Sequence, residues 1–268
     1  MRFLLASVLL YICNAVYAVE MTGEAVQGGL LFGQAEAGSS VLLDGAEIDI
    51  SPGGQFVIGF GRDETGVREL RVISPDGERF HTRYHVKESQ YDIERVDGLP
   101  PSTVSPDPAA TARIREEAHM VATARQHRDN LAYYAGGFTW PAKGRISGVY
   151  GSQRVLNGNP RNPHYGLDIA APEGTAVYAP ADGLVTLTHP GMLLSGGTII
   201  LDHGQGLSST FLHLSAILVE AGVFVKQGEL IARIGATGRA SGPHLDWRMN
   251  WLDRRVNPQL LMPPMEAP

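Results

Sequence analysis

The sequence predicts a mainly β protein whose two β-rich parts are joined by one helix. Over residues 19–96, short runs of Val, Ile and Phe alternate with other residues and are separated by turn dipeptides. A Pro-rich segment and one stretch of helical periodicity occupy residues 97–135, and from 136 to 262 the β character returns with many glycines. These observations indicate a β-sandwich-like N-terminal domain, a linker with a helix, and a curved antiparallel β domain.

Residues 1–18, MRFLLASVLLYICNAVYA, have the pattern of a secretory signal peptide. Arg2 precedes an apolar run over residues 3–12, and small residues stand at the positions that a signal peptidase reads. The run is shorter than the roughly 20 apolar residues that a membrane-spanning helix needs. We therefore expect cleavage before Val19, export across the inner membrane to the periplasm, and no stable membrane insertion afterwards.

The composition argues against nucleic-acid binding and against stabilisation by disulfide bonds. The formal net charge of −6 argues against a nucleic-acid partner, because phosphate binding requires basic patches. The one cysteine, Cys13, lies within the signal segment, so the exported chain has no disulfide framework. Its stability must come from packing, with a bound metal as a further source.

Turn signals divide the N-terminal domain, residues 19–96, into short strands. Asp44-Gly45, Pro52-Gly53-Gly54 and Asp76-Gly77 stand between the β-like runs, where hairpins would reverse the chain. No residue pattern in this domain indicates a reactive site. We interpret it as an accessory domain.

One helix is predicted between the two domains. The segment DGLPPSTVSPDP, residues 97–108, is rich in proline and small polar residues and is typical of a linker. Asp107 can cap the helix and Pro108 fits its first turn. Four residues then follow at helical spacing, up to about Asn130: Ile114, Ala118, Val121 and Arg125.

Two short motifs in the C-terminal domain combine metal-binding residue types. His164 and Asp168 are four apart in a loop, a spacing that occurs by chance in many proteins. In GPHLDWRMNW, a strand would place His244 and Asp246 on one face and Leu245 on the other. Zinc accepts both imidazole nitrogen and carboxylate oxygen. A buried His–Asp hydrogen bond explains the second motif equally well.

A further histidine, His213, lies in the apolar run STFLHLS, where strand alternation would turn Leu212 and Leu214 to the opposite face. A lone histidine on a strand is more often structural than catalytic. Only its combination with the other motifs gives it a functional interpretation.

The order of four segments resembles the lysostaphin-like, or LytM-type, zinc metallopeptidases that cut bacterial peptidoglycan cross-links. The resemblance covers roughly residues 136–262. Its segments are GRISGVYGSQR, HYGLDIAAPEGTAVYAPADGLV, GTIILDHGQGLSSTFLHLS and GELIARIGATGRASGPHLDWRM. Each is modest alone, but the ordered set is specific.

The resemblance implies roles for five residues. The family's His-x-x-x-Asp motif places two zinc ligands at His164 and Asp168. Its His-x-His motif places a catalytic residue at His244 and the third ligand at the next-but-one position, where this chain has Asp246. The remaining catalytic histidine of the family maps onto His213.

Asp246 in place of the family's histidine changes the length and the charge of the third metal ligand. Aspartate can bind zinc, so one Zn²⁺ per chain remains the expectation. Aspartate is shorter than histidine, however, and two carboxylates with one imidazole formally neutralise a divalent ion, which weakens its Lewis acidity. This harder ligand set could also admit Mn²⁺ or another divalent ion.

The resemblance implies an endopeptidase that hydrolyses peptide bonds in peptidoglycan, and we favour a D,D-endopeptidase. Arg154, Asn157 and Arg161 precede the first ligand in a polar loop and could contact stem-peptide carboxylates, or they could simply be solvated. The Asp246 replacement also leaves open a catalytically impaired LytM-type binding module that regulates other wall hydrolases. A secreted β-rich adhesion or carbohydrate-binding protein is a third reading, and the N-terminal domain could bind a protein regulator.

Overall fold

The structure, a computed structural model, describes residues 19–96 and 108–265. The expected signal segment and the linker, including the Asp107 cap, lie outside the described residues. The prediction of a mainly β protein with a helix between two β-rich parts is confirmed.

The N-terminal part consists of two small antiparallel sheets, with strand orders β1–β2–β5 and β4–β3–β6–β7. The strands are β1 (Glu20–Gly23), β2 (Leu30–Gln34), β3 (Ser40–Leu43), β4 (Ala46–Ile48), β5 (Gln55–Gly59), β6 (Val67–Ile73) and β7 (Arg79–His85). The three predicted turns connect β3 to β4, β4 to β5 and β6 to β7. Asp44 and Gly45 both have positive φ, as the tightest of these turns requires.

The connecting helix α1 spans Pro108–Ala124 and ends before the predicted Asn130. Its last turn tightens, since Gln126 N–H donates to Thr123 O, and the Asp129 side chain then accepts from Leu131 N–H. These local bonds replace the helical pattern beyond residue 124. Over residues 19–96 and 108–265, no helix combines the length and apolar character needed to cross a membrane.

The C-terminal part is built on one ten-stranded sheet with the central order β17–β14–β15–β16–β19–β12–β9. Its strands are β9 (Arg145–Gly148), β12 (Leu167–Ala170), β13 (Ala176–Tyr178), β14 (Gly183–Met192), β15 (Gly196–Asp202), β16 (Leu207–Ile217), β17 (Phe224–Val225), β18 (Leu230–Ile234), β19 (His244–Trp251) and β20 (Arg254–Val256). The neighbouring pairs are antiparallel, as predicted.

A third small sheet joins the two parts beside this large sheet. It contains β8 (Ile93–Val96), β10 (Gln153–Leu156) and β11 (Asn159–Pro160). β8 pairs in parallel with β10, so a strand from the end of the N-terminal part is fixed to a hairpin of the C-terminal part. Two short 3₁₀ helices, Tyr133–Gly136 and Pro258–Leu261, complete the fold.

The two parts share one hydrophobic core and are held together by buried polar contacts. Buried side chains such as Phe56 and Trp251 belong to the same cluster, and Gly59 leaves room for Trp251 to approach. Arg62 donates from Nε and Nη2 to the Gly151 carbonyl, at 2.9 and 2.7 Å. The N-terminal part is therefore packed firmly against the C-terminal part.

Strand β19 alternates as the sequence predicts. Leu245, Trp247 and Met249 are fully buried on the core side. The intervening residues are polar and lie on the opposite face. Trp247 also packs 6.4 Å from Trp140, between ring centroids, and its Nε1–H donates to Ser209 Oγ.

We expect Trp247→Ala to lower the free energy of unfolding by about 3–5 kcal/mol, because it empties a fully buried site and removes a buried hydrogen-bond donor. Urea denaturation followed by circular dichroism measures this change. Leu260→Ala is the control, since Leu260 is 53% exposed and its truncation should change stability by less than about 0.5 kcal/mol. Equal effects of the two substitutions would contradict this packing.

Candidate active site

Antiparallel pairing brings the two sequence motifs together. In the β12–β19 pair, Asp168 lies directly opposite Asp246, and Ala170 lies opposite His244. His164 lies in the loop before β12, and its Nε2 is 3.1 Å from Asp168 Oδ1 and 3.6 Å from Asp246 Oδ2. The ligand atoms of His164, Asp168 and Asp246 all lie within 4.8 Å of one another.

Each of the three site imidazoles is oriented by a backbone carbonyl. Nδ1 of His164 faces Val149 O at 3.2 Å, while Nδ1 of His213 and of His244 each lie 2.8 Å from a carbonyl, those of Thr237 and Gly242. A hydrogen on Nδ1 satisfies each carbonyl. The Nε2 atoms are thereby left to face the site, which is the tautomer that metal binding and proton acceptance require.

The carboxylates create a site that requires a cation. Asp168 Oδ1 is buried, and within the described residues it faces His164 Nε2 at 3.1 Å without an aligned hydrogen-bond donor. Burial disfavours the imidazolium of His164, but the Asp168 and Asp246 carboxylates outweigh it and raise the pKa of His164 to about 10. The imidazole and carboxylate donors fit a divalent metal such as zinc, which would occupy the place where these lone pairs converge.

Two glycines give the carboxylates their space. A Cβ on Gly148 would lie 2.2 Å from Asp168 Oδ2, and one on Gly166 would lie 2.0 Å from Asp246 Oδ1. Neither glycine has a positive φ, so steric room is the reason for glycine at both positions. Both residues lie within the recognised motifs, but only the three-dimensional approach of the side chains reveals their role.

Arg248 is a site residue that the sequence analysis missed. Its Nε lies 3.0 Å from both oxygens of Asp246, and its Nη2 donates to Oδ2. Burial disfavours the Asp246 carboxylate, but the Arg248 guanidinium and then His164 outweigh this effect and hold its pKa below the usual range. Strand alternation could have predicted this contact, because Asp246 and Arg248 are two residues apart on one strand and therefore share a face.

This ion pair changes the charge expected at the metal position. The sequence predicted that two carboxylates would formally neutralise a divalent ion. Arg248 compensates the charge of Asp246, so the group of His164, Asp168, Asp246 and Arg248 carries one net negative charge once His164 is neutral, as a metal ligand must be. That equals the charge of a site with two histidines and one aspartate, and a divalent ion would keep an excess positive charge there.

His213 reaches the site through a bulge that alternation could not predict. Ile199 pairs with Phe211 and Gly197 pairs with Leu214, so β16 contains an extra residue between these two points. His213 has a left-handed φ of 64°, which turns its ring into the groove. Leu212 lines the same groove, so the expectation that it lies on the face opposite His213 was wrong.

The two remaining histidines form a pair beside the candidate ligands. The ring centroids of His213 and His244 are 4.7 Å apart, and His244 Nε2 is 3.9 Å from Asp168 Oδ1. Burial lowers the pKa of His213. His213 is consequently neutral near pH 7 and able to accept a proton.

A groove of about 1010 Å³ runs past this site. His164, Asp168 and His213 line it on the sheet side, and the predicted helical stripe that includes Ile114 and Val121 lines it on the α1 side. The helix therefore forms one wall of the groove.

The three predicted substrate-binding residues lie on or near the β10–β11 hairpin. Arg154 and Arg161 line the groove, and Arg154 donates to Glu94 of β8. Asn157 lies at the hairpin turn with a φ of 48° and does not line the groove. Substrate contact by these residues stays a prediction.

Residues 162–258, which contain the five predicted metal-ligand and catalytic positions, match Peptidase family M23. The chain contains a peptidase family M23 domain. The sequence-based resemblance to lysostaphin-like enzymes is thus confirmed. The match spans the His164 motif, the His213 strand and the His244 strand in the order in which the fold assembles them.

Curated relatives of this chain include two proteins of Vibrio cholerae. The peptidoglycan DD-endopeptidase ShyA is 36% identical over 157 residues, which cover 54% of this chain and 36% of the relative. The peptidoglycan DD-endopeptidase ShyB is 40% identical over 97 residues, which cover 35% of this chain and 22% of the relative. The chain thus spans only about a third or less of the length of these relatives.

A crystal structure described as a peptidase M23 from Pseudomonas aeruginosa has a similar fold. The TM-score is 0.67 at 28% sequence identity, over 89% of this chain and 95% of that chain. The similarity extends well beyond residues 162–258 and includes most of the described chain.

We expect Gly148→Ala and Gly166→Ala each to lower zinc affinity at least tenfold, because the new methyl group displaces a candidate ligand carboxylate. Zinc titration against a competing chelator measures this, with circular dichroism to verify the fold. Gly136→Ala is the matched control, since its Cβ would meet nothing within 4 Å. Unchanged affinity in both site variants would show that neither carboxylate binds the metal.

Proposed function

We propose that this protein is a zinc-dependent endopeptidase that hydrolyses peptide cross-links of bacterial peptidoglycan, with D,D-endopeptidase specificity. The observation that carries the proposal is the convergence of His164, Asp168 and Asp246 within 4.8 Å, beside the His213–His244 pair. The M23 domain supports the peptidase class, and the names of the two Vibrio cholerae relatives support the substrate.

The proposed reaction divides the work between the metal and the chain. A zinc ion held by His164, Asp168 and Asp246 would supply Lewis acidity toward the scissile amide. His213, kept neutral by burial, accepts a proton from the attacking water. That proton then passes to the departing amine, and His244, whose Nε2 faces the same space, assists this transfer. The groove walls hold the peptide extended past these groups.

A catalytically impaired regulatory module is not favoured. Such a module would need no oriented histidine pair, whereas His213 and His244 are both aligned through their Nδ1 atoms. The Asp246 replacement also comes with its own compensating cation, Arg248. The arrangement supports an active hydrolytic site better than an inactive one.

We further propose that residues 19–96 are an accessory domain that shapes the groove, and that the protein works in the periplasm. The first part is supported by the pairing of β8 with the β10 strand at the groove rim. The second part is supported by the signal-like residues 1–18 and by the peptidoglycan substrate named for the relatives.

We expect His213→Ala and His244→Ala to reduce cleavage of purified peptidoglycan at least 100-fold while about one zinc per chain is retained, because these residues transfer protons and are not ligands. Chromatography of released muropeptides and mass-spectrometric metal analysis measure both quantities. His119→Ala on the exposed face of α1 is the control and should retain full activity. Full activity in both site variants would refute the assignment.

A further inference from the structure

Three arginines converge on one section of the groove next to the candidate metal site. Arg125 follows the end of α1, Arg248 lies on β19 and Arg255 lies on β20, and all three line the groove. Burial and then the charges of Arg255 and Arg248 lower the pKa of Arg125 to about 9. Three guanidinium groups are thus held close enough to repel one another.

The register of the sheet explains their convergence. Arg248 lies directly opposite Thr210 of β16, and Arg125 Nη2 donates to Thr210 Oγ1 at 2.9 Å. Arg255 lies opposite Asn250 and donates to its Oδ1 at 3.1 Å. The helix side and the sheet side of the groove therefore contribute guanidinium groups to the same polar surface.

Two of these cations have no carboxylate partner among the described residues. Arg248 binds Asp246, whereas Arg125 and Arg255 form no ion pair within residues 19–96 and 108–265. The Arg125 Nε atom is moreover buried without a hydrogen-bond acceptor. An unpaired buried donor on a cation is unfavourable, and an anion bound in the groove would satisfy it.

Two glutamates at the groove edge already have other partners. Glu94 accepts from Arg154, and Glu117 accepts from Arg113 and from Leu193 N–H. These ion pairs engage both glutamates away from Arg125 and Arg255. A ligand carboxylate in the groove would give these two arginines a partner.

We propose that Arg125 and Arg255, beside the Asp246-paired Arg248, form a subsite that binds a free carboxylate of the peptide substrate. This inference rests on the proposed peptidase function and adds a determinant of specificity to it. The arginine side chain, with its planar fork of donors, matches a carboxylate in two parallel hydrogen bonds.

The subsite adjoins the candidate metal position. Arg248 lies two residues beyond Asp246 along β19, and its Nε lies 3.0 Å from both oxygens of that carboxylate. The bound carboxylate therefore belongs to a residue close to the scissile bond. Peptidoglycan stem peptides carry free carboxylates along their length, which makes them suitable ligands.

Binding of two stem peptides tests the proposal without relying on cleavage. One is an uncross-linked stem peptide with free carboxylates, and the other is the same peptide with those carboxylates amidated. Isothermal titration calorimetry on the wild-type, metal-loaded protein should show at least tenfold tighter binding of the acidic peptide. The preference should decline as the salt concentration rises.

Arg125→Gln and Arg255→Gln should reduce this preference to less than threefold, chiefly by lowering the affinity for the acidic peptide. Arg255→Lys keeps the charge but loses the fork, and should give an intermediate preference. Arg79→Gln is the control, because Arg79 is exposed on β7. Metal content and the unfolding midpoint of each variant separate a binding effect from a folding effect.

Equal affinity of the wild type for the two peptides would overturn the proposal. An equal loss of affinity for both peptides in the variants would also overturn it. Cleavage of purified peptidoglycan is measured separately. If the acidic peptide binds selectively but no peptidoglycan is cleaved, the subsite stands and the proposed hydrolytic function fails. If peptidoglycan is cleaved without any effect of amidation on binding, the hydrolytic function stands and the subsite fails.

Discussion

Strand β19 is paired with β12 on one side and with β16 on the other, and the whole candidate site depends on this double pairing. It sets Asp168 opposite Asp246, although the two residues are far apart in sequence. It also places β16, which carries His213, next to the same strand. The buried core face, with Trp247 at its centre, fixes the register, because a shift by one residue would turn the polar face into the core.

Electrostatic balance is the second condition for the site. A buried carboxylate such as Asp246 is unfavourable unless a cation or hydrogen-bond donors compensate it. Arg248 supplies that compensation, and the room beside Gly166 lets the carboxylate reach it. The same ion pair restores the charge that a second histidine ligand would have given. The replacement at position 246 is therefore compatible with the chemistry of a hydrolytic metal site.

The parts that the sequence could predict are those with local or periodic signals. The turns at Asp44-Gly45 and Asp76-Gly77 follow from residue chemistry, and the face shared by His244 and Asp246 follows from the period of a strand. The metallopeptidase assignment followed from the order of motifs. Once the family resemblance assigned ligand roles to both motifs, it also predicted that His164 lies next to the β19 residues.

The parts that escaped prediction depend on contacts between distant segments or on irregular backbone. The bulge that turns His213 into the groove breaks the period on which the prediction rested. The space beside Gly148 is visible only once Asp168 lies across from it. Likewise, the approach of Arg125 to Thr210 depends on packing between the helix and the sheet.

Asp246, although paired with Arg248, is the residue that completes the proposed metal site. Metal content by mass spectrometry of the wild type and of Asp246→Ala, purified with zinc supplied, tests this most directly, with Asp253→Ala as an exposed acidic control. We expect about one zinc per chain in the wild type and in the control, and loss of zinc in Asp246→Ala. A full zinc content in Asp246→Ala, or none in the wild type, would contradict the account.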